Sequence, residues 1–263
     1  MKQQLLKFKS INVSFTDTGK GKAVVFLHGF LGSKEVWTPF VKEISKSKRV
    51  ITIDLLGHGA SDSLSYVHTM EEMAEAVQYV LNHLKLRKYF LIGHSLGGYV
   101  SLALAETEPD NIRGLVMFHS TAKGDNLSKQ KDRDRAIKVV KHNAAIFINE
   151  AVPNLFNLKH KPFKRGVEIT KKQALKTTKQ GIVAALEGMK IRLDREIVLK
   201  FAPYPVFYII GEKDNILPYQ DLIAQAQLPE KGSYLLLNKT GHMGFLEAKE
   251  ETIKAVKQFV RLT

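Results

Sequence analysis

The chain has 263 residues, of which 44% are hydrophobic and 25% are charged, and it contains no cysteine. This composition is typical of a globular protein with one large domain, or one domain with an insertion, and excludes collagenous, coiled-coil and disordered classes. The lack of cysteine excludes disulfides, thiolate metal sites and a cysteine nucleophile. The net charge is +14, and residues 121–200 hold most of it, with 19 Lys and Arg against 8 Asp and Glu.

The N-terminal segment MKQQLLKFKSINVSF is basic but lacks the apolar stretch and the cleavage site of a signal peptide. Apolar runs elsewhere are much shorter than the ~18 residues that a membrane span requires. We therefore expect a cytoplasmic protein without a membrane span. The stretch LLKFKSINVSFTDTG alternates apolar and polar residues, which predicts an antiparallel hairpin of two strands.

From Ala23 onward, short apolar runs alternate with amphipathic helical patterns. Runs that are apolar on both faces are typical of a parallel sheet covered by helices on both sides. Thr69 and Glu72 form a capping box at the start of one predicted helix, and Thr38 followed by Pro39 starts another. The predicted buried strands are AVVFL, RVITI, KYFLI, GLVMF, PVFYII and SYLLL.

The alternation of strands and helices stops between Thr121 and Lys200, where helical patterns alone are recognisable. We predict a core formed by residues 1–120 and 201–263, and an inserted helical cap subdomain formed by residues 121–200. An insertion between two parallel strands emerges at the carboxyl edge of the sheet, so the cap is expected to cover a pocket at that edge.

A GxSxG pattern, Gly93-His94-Ser95-Leu96-Gly97, follows the predicted strand KYFLI and precedes a helical pattern. A turn this sharp between strand and helix requires glycines beside the serine and exposes the hydroxyl at the edge of the sheet. A serine hydroxyl is a weak nucleophile unless a base takes its proton. The pattern therefore predicts that a histidine and a carboxylate lie beside Ser95.

Two later loops supply these groups in the order that a nucleophile elbow requires. Asp214 follows the strand PVFYIIG, and His242 follows the strand SYLLLN. The earlier loop HGFLG, from His28, follows the first buried strand, where backbone N–H groups can stabilise an oxyanion. Asp54 and His58 precede the serine, and we expect them to hold their own loop by hydrogen bonds.

Five motifs, HGFLG, DLLGHGAS, GHSLGG, GEKD and TGHM, occur in the order found in the α/β-hydrolase superfamily. The sequence resembles the small cofactor-free serine hydrolases of this superfamily, esterase- or lactonase-like, with a helical cap. The resemblance implies a mostly parallel sheet with helices on both faces, no cofactor and no metal. The implied roles are nucleophile for Ser95, base for His242, orienting acid for Asp214, and oxyanion-hole donors for Phe30 and Leu96.

The resemblance favours a hydrolase that cleaves an ester, thioester or lactone of a small, largely apolar substrate through an acyl-enzyme. A ligand receptor that retains the triad, a lyase and a C–C hydrolase of the same superfamily remain alternatives. The segment HGFLGSKEVW resembles the menaquinone-pathway lyases of this fold, but Tyr99 follows GHSLGG where those lyases favour Arg, which disfavours the lyase. The expected pocket wall consists of Phe30, Leu31, Trp37, Leu96, Phe118, His119, Phe147, Phe156, Met189, Leu217 and Met243.

The partners that we expect follow from charge and from motifs that are missing. The sequence has no HExxH, GxGxxG or GxxxxGK[ST] pattern and no recognised nucleic-acid module. These missing motifs predict neither metal nor nucleic acid, and the family resemblance implies a small ester-like substrate as the partner. The basic cap leaves two interpretations: a solvated lysine-rich surface, or a surface that attracts an anionic acyl donor or an acidic carrier protein.

Overall fold

The computed structural model describes residues 2–159 and 163–262. In chain order the strands are β1 (Gln3–Phe8), β2 (Ile11–Thr18), β3 (Ala23–Leu27), β4 (Arg49–Ile53), β5 (Tyr89–His94), β6 (Ile112–Phe118), β7 (Val206–Gly211) and β8 (Gly232–Leu237). They form one sheet in the order β1-β2-β4-β3-β5-β6-β7-β8. β1 pairs antiparallel with β2 and β2 with β4, and the other pairs are parallel. The predicted hairpin and the mostly parallel sheet are confirmed.

The helices are α1 (Thr38–Ile44), α2 (Met70–His83), α3 (Leu96–Thr107), α4 (Leu127–Ala151), α5 (Lys164–Ala174), α6 (Lys179–Lys190), α7 (Glu196–Lys200), α8 (Tyr219–Ala226), α9 (Gly244–Glu247) and α10 (Lys249–Leu262). α1 packs against α10, and α2 packs against α3. Every residue of β3 and β5 is buried, as a sheet covered on both faces requires. In the parts of the chain that the structure describes, no helix has the length and apolar character needed to cross a membrane.

Helix α2 illustrates how the local sequence sets an element and its buried face. The Thr69 hydroxyl accepts a hydrogen bond of 3.1 Å from the Glu72 N–H, which caps the helix as its sequence predicts. The apolar side chains then recur at helical spacing and face the core. The buried apolar residues of α2 are Met70, Met73, Ala74, Ala76, Val77, Val80 and Leu81.

Between β6 and β7 the described residues form helices α4 to α7 and no strand. Helix α4 is broken at Asn143, where φ is −153° and ψ is 104°. The Asn143 side chain accepts hydrogen bonds from the N–H groups of Ala145 and Ile146, so it caps a second helical segment. Helix α4 packs against α6, and its segment after Asn143 carries Phe147, which lines the cavity described below.

The carboxyl edge of the parallel strands collects the loops that carry the predicted chemistry. The HGFLG loop follows β3, Ser95 follows β5, and His119 follows β6. Asp214 follows β7, and His242 lies on the loop between β8 and α9. Parallel strands end at the same edge, so five segments that are far apart in the sequence meet there.

Candidate active site

Ser95 lies on the turn between β5 and α3 with φ 48° and ψ −115°, a conformation uncommon for a residue with a side chain. The two flanking glycines make the turn possible. A Cβ on Gly93 would lie 2.3 Å from the carbonyl oxygen of Gly97, and one on Gly97 would lie 2.3 Å from that of Leu27. The Ser95 N–H donates to the Phe118 carbonyl at 3.0 Å. These contacts fix the turn, and Ser95 lines a cavity.

His242 and Asp214 form a buried, hydrogen-bonded pair. The His242 Nδ1–H donates to Asp214 Oδ2 at 2.7 Å. Asp214 Oδ1 accepts from the N–H groups of Ile216 at 2.8 Å and Leu217 at 3.1 Å. A carboxylate can only accept, so the neutral imidazole carries its proton on Nδ1 and has its lone pair on Nε2. This is the tautomer that can accept a proton from a nucleophile.

Further hydrogen bonds hold the loop that carries His242. The His242 N–H donates to the Leu155 carbonyl at 2.8 Å, and His94 Nε2 donates to the His242 carbonyl at 3.0 Å. Glu247 Oε2 accepts from the Gly241 N–H at 3.1 Å. No sequence pattern predicts these supports, although His94 lies inside the GxSxG pattern and Glu247 only five residues after His242. The loop is thus fixed from β5, from α9 and from the segment after α4.

The electrostatics of the site follow from burial and from these bonds. Burial acts to raise the pKa of Asp214, but the charge of His242, the nearby His119 ring and the hydrogen bond from His242 outweigh it, so the pKa lies well below its usual range. Burial lowers the pKa of His94 and of His119. Asp214 is therefore ionised, and the His94 and His119 rings are neutral, at pH 7.

Ser95 and His242 line the same cavity, which has a volume of about 880 Å³. Its wall is largely apolar and includes side chains from α4 and α6. Three lysines, Lys129, Lys172 and Lys176, also line it. The apolar side chains that line it include Phe30, Leu31, Val36, Ala136, Phe147, Leu155, Ile169, Leu186, Met189, Ile216, Met243, Phe245 and Leu246.

Some of the residues predicted from the sequence to form the pocket wall do line the cavity. They are Phe30, Leu31, Phe147, Met189 and Met243. The Phe30 ring also packs against the rings of His58 and Phe147, with centroid distances of 6.0 and 6.3 Å. Phe30 therefore connects the HGFLG loop to the helical insertion across the cavity.

The remaining predicted wall residues lie elsewhere, which corrects the prediction. Phe118 is fully buried at the end of β6, and Phe156 packs against Phe163. Leu217 is buried beside Asp214, to which its N–H donates. Leu96 and His119 are fully buried outside the cavity lining. Trp37 is part of the aromatic core, where its ring packs against those of Phe26, Phe40, Phe118 and Phe245.

The loops beside the cavity are braced by a buried ion pair. Asp54 Oδ2 lies 2.5 Å from the Lys34 Nζ, and the two side chains are 0% and 3% exposed. Asp54 also accepts from the N–H groups of Lys34 at 2.7 Å and Ala60 at 3.0 Å. The His58 Nδ1 bonds the Leu56 carbonyl at 3.0 Å. Asp54 and His58 thus hold their loop, as the sequence analysis predicts.

Among residues 2–159 and 163–262, one group of His, Asp or Glu side chains has the spacing of a possible ion site. One atom each of His119, Asp214 and His242 lies within 4.8 Å of the others. An ion at His242 Nδ1 would have to displace the proton that binds Asp214. We therefore interpret the group as the hydrogen-bonded pair of His242 and Asp214 with the His119 ring beside the carboxylate.

A family model described as the alpha/beta hydrolase fold matches residues 22–249. The chain belongs to the α/β-hydrolase family. This confirms the predicted resemblance and the predicted fold class. In this family the nucleophile lies on a strand-to-helix turn like the one around Ser95.

Individual relatives differ in activity. A thermophilic esterase from Thermogutta terrifontis is 28% identical, with a TM-score of 0.93 over 99% of this chain and 98% of that one. The dihydrolipoyllysine-residue acetyltransferase component of the acetoin cleaving system of Pseudomonas putida is 30% identical over 92% of this chain, which spans 64% of that protein. The 2-succinyl-6-hydroxy-2,4-cyclohexadiene-1-carboxylate synthase of Citrobacter koseri is 25% identical over 91% of this chain and 94% of that protein.

Proposed function

We propose that the protein is a serine hydrolase that cleaves an ester-like bond, as in a carboxylic ester, thioester or lactone, through an acyl-enzyme. The observation that carries the proposal is that Ser95 and His242, which Asp214 orients, line one cavity. The similarity to the Thermogutta terrifontis esterase over nearly the whole chain supports it.

In the first half of the reaction, Ser95 Oγ attacks the carbonyl carbon of the ester while His242 Nε2 takes the hydroxyl proton. Asp214 stays ionised and stabilises the imidazolium that forms. The carbonyl oxygen becomes an oxyanion, for which we propose the backbone N–H groups of Phe30 and Leu96 as donors. Leu96 directly follows Ser95 as the first residue of α3, and Phe30 lines the same cavity as Ser95, which supports both N–H groups as donors.

To complete this first half, His242 returns its proton to the leaving alcohol, thiol or enol as the bond to the acyl carbon breaks, and Ser95 remains acylated. A water molecule then attacks the acyl carbon while His242 takes its proton. Collapse of the second tetrahedral intermediate releases the acid and restores the serine hydroxyl. Every proton moves between His242 and the reacting oxygen or sulfur, so this scheme uses no cofactor.

The cavity suits a small, largely apolar substrate with an anionic group. Its wall is mostly apolar, and Lys172 and Lys176 on its rim are exposed. Arg133 lines it too, but its charge is paired with Asp125 at 2.9 Å. We propose that the basic helical insertion attracts anionic acyl donors, including a substrate carried on an acidic protein, by long-range electrostatics.

Pre-steady-state kinetics with a chromogenic short-chain ester test the proposed hydrolysis. We expect a burst of chromophore equal to one per active site, followed by steady turnover, when deacylation is slower than acylation. A receptor that retains the triad would give a burst without turnover or no release at all. A lyase or C–C hydrolase of the same fold would release no chromophore above the rate of the Ser95→Ala variant. Either result would reject ester hydrolysis.

The salt dependence of kcat/KM tests the role of the lysines. For an ester whose acyl chain ends in a carboxylate, kcat/KM should fall as added salt shortens the Debye length from about 30 Å to about 8 Å, whereas a neutral ester of equal length should respond little. Lys172→Glu with Lys176→Glu should remove the difference. Lys231→Glu with Lys254→Glu changes the net charge equally at exposed positions outside the cavity lining, and should retain it. Equal salt curves for both esters in the wild type would exclude electrostatic attraction.

A further inference from the structure

His119 lies directly behind the proposed catalytic pair. It is the first residue after β6, has a positive φ of 44° and is fully buried. Its Nδ1 lies 3.6 Å from Asp214 Oδ2, the oxygen that also accepts from His242. The centroids of the His119 and His242 rings are 5.9 Å apart. The His119 ring therefore contacts the carboxylate on a side that His242 does not occupy.

Neither ring nitrogen of His119 has a partner at hydrogen-bonding distance among the described residues. Buried polar groups are normally hydrogen-bonded, because an unpaired one costs free energy. The ring is nevertheless tightly enclosed. A Cβ on Gly244 would lie 2.3 Å from its Nε2, and one on Gly211 would lie 2.9 Å from its Cε1. The absence of side chains on Gly211 and Gly244 leaves room for the His119 ring beside Asp214.

The protonation state of His119 follows from its surroundings. Burial lowers its pKa, and Asp214 acts in the opposite direction. The ring is neutral at pH 7 and carries a single N–H. The group nearest Nδ1 is a carboxylate, which can only accept, so the surroundings favour the tautomer with the proton on Nδ1.

We propose that His119 is a positioning residue whose Nδ1–H shares Oδ2 of Asp214 with His242 and fixes the plane of the carboxylate during turnover. The inference rests on the proposed function, in which His242 is the base, and His119 itself gives up no proton. A separation of 3.6 Å is longer than a hydrogen bond. Catalytic hydrogen bonds are often long in the free enzyme and shorten in the substrate complex. We expect this contact to shorten in the same way.

A donor on Oδ2 has a consequence for the basicity of His242. It withdraws charge from the carboxylate and weakens the attraction between Asp214 and the imidazolium. Loss of the donor should therefore raise the pKa of His242 and move the acid limb of kcat/KM to higher pH. The ionisable groups that face His119 are Asp214 after β7, His242 after β8 and His94 at the end of β5, whose ring centroid is 6.2 Å away. Burial raises the pKa of Glu247 on α9, and the charge of Asp214 acts in the same direction, so Glu247 interacts electrostatically with this carboxylate.

Three substitutions separate hydrogen bonding from packing. His119→Asn keeps an N–H donor near the position of Nδ1 and tolerates a positive φ. His119→Gly tolerates the backbone but has no donor, and His119→Leu fills the volume without a donor. Thermal unfolding shows which variants fold, and because leucine is strained at positive φ, the glycine variant keeps the test valid if the leucine variant fails.

We expect kcat to fall roughly 10- to 100-fold in His119→Gly and His119→Leu, the effect of losing one hydrogen bond to a charged group. KM should not change, and the acid limb should shift to higher pH in these two variants alone. His119→Asn should retain most of the wild-type kcat and the wild-type pH profile. A purely structural role would instead leave His119→Leu most active, with no shift of the acid limb in any variant. That result would overturn the proposal.

A measurement without substrate separates this inference from the proposed function. NMR of the protein with ¹⁵N-labelled histidine follows the titration of His242, whose resonances are identified by their loss in His242→Gln. We expect the pKa of His242 to be higher in His119→Gly than in the wild type and in His119→Asn. An unshifted pKa would overturn the role of His119 even in an active esterase. A shifted pKa in a protein without esterase activity would reject the proposed function and leave the positioning role intact.

Discussion

Replacing Asp214 with asparagine changes one carboxylate oxygen to an amide nitrogen at almost constant size. The structure determines how the new amide must turn. Oδ1 accepts hydrogen bonds from the N–H groups of Ile216 and Leu217, so the amide oxygen must take that position. The amide NH₂ group then faces His242 Nδ1, where the wild type has an oxygen at 2.7 Å.

Two donors cannot form a hydrogen bond, so the His242 imidazole has to move its proton from Nδ1 to Nε2. A nitrogen that already carries a proton cannot accept one from Ser95. In serine proteases with a Ser-His-Asp triad, the equivalent change of tautomer lowers kcat about 10⁴-fold. We expect a loss of that order in Asp214→Asn, with little change in folding because both backbone bonds are kept.

The assay is kcat on a chromogenic ester, with thermal unfolding measured in parallel. Asp221→Asn is the matched control, because Asp221 lies on α8, is 55% exposed and pairs with Lys123 at 3.8 Å. Its kcat should equal that of the wild type. If folded Asp214→Asn retains kcat within about tenfold of the wild type, the tautomer argument is wrong. If Asp221→Asn proves inactive as well, Asp214 is not the specific orienting acid.

Three further predictions concern the nucleophile, the oxyanion hole and the braced loop. In steady-state kinetics, Ser95→Ala and His242→Ala should each lower kcat about 10³-fold or more, and the double variant should lose little beyond either single variant. If the free-energy costs of the two substitutions add in the double variant, Ser95 and His242 act separately. Phe30→Pro deletes a backbone N–H and should lower kcat about 10²- to 10³-fold, whereas Phe30→Leu keeps the N–H and should alter the acyl-chain preference instead. If circular dichroism shows that Phe30→Pro is folded and its kcat is normal, the assignment of the Phe30 N–H as an oxyanion donor is refuted. Lys34→Met leaves the Asp54 carboxylate buried without its cation and should lower the free energy of unfolding by about 3–5 kcal/mol in urea denaturation; a loss below about 1 kcal/mol would show that the pair is not important for stability.

The positions of the strands along the chain and those of the candidate catalytic residues can be predicted from the sequence, because both depend on local patterns. A run that is apolar on both faces identifies a buried strand, and the residue that follows it must lie at the carboxyl edge of the sheet. Ser95 and Asp214 each follow a buried strand, whereas His242 follows β8, which the sequence predicts to be buried but which is an edge strand with mostly exposed or half-buried residues. The inference reaches only from a strand to the next few residues, and this is why it places all three residues at the carboxyl edge of the sheet.

The pocket wall could not be read in the same way. Trp37, Phe118 and Phe30 are all aromatic residues that lie within or after strands and turns. Phe30 lines the cavity, whereas Trp37 and Phe118 do not. Which of them faces the cavity depends on how α1, β6 and α9 pack, and the sequence does not contain that information locally. The Trp37 ring lies among aromatic side chains from three separate segments.

Two other features depend on contacts that sequence patterns do not reveal. Asn143 is an ordinary polar residue within a helical pattern, yet its side chain caps the segment that follows it and breaks α4. His119 resembles any histidine after a strand, and only the structure brings it to 3.6 Å from Asp214. In both cases the deciding partner is a specific atom whose approach depends on the folded backbone.

Identification of an acylated residue tests the central claim most directly. The enzyme is mixed with a chromogenic short-chain ester, quenched with acid during the burst and analysed by intact mass and peptide mapping. We predict one acyl group per chain, attached to Ser95, and no adduct on the Ser95→Ala variant. An unmodified wild-type enzyme that still turns over the ester, or an acyl group on a different residue, would contradict the account.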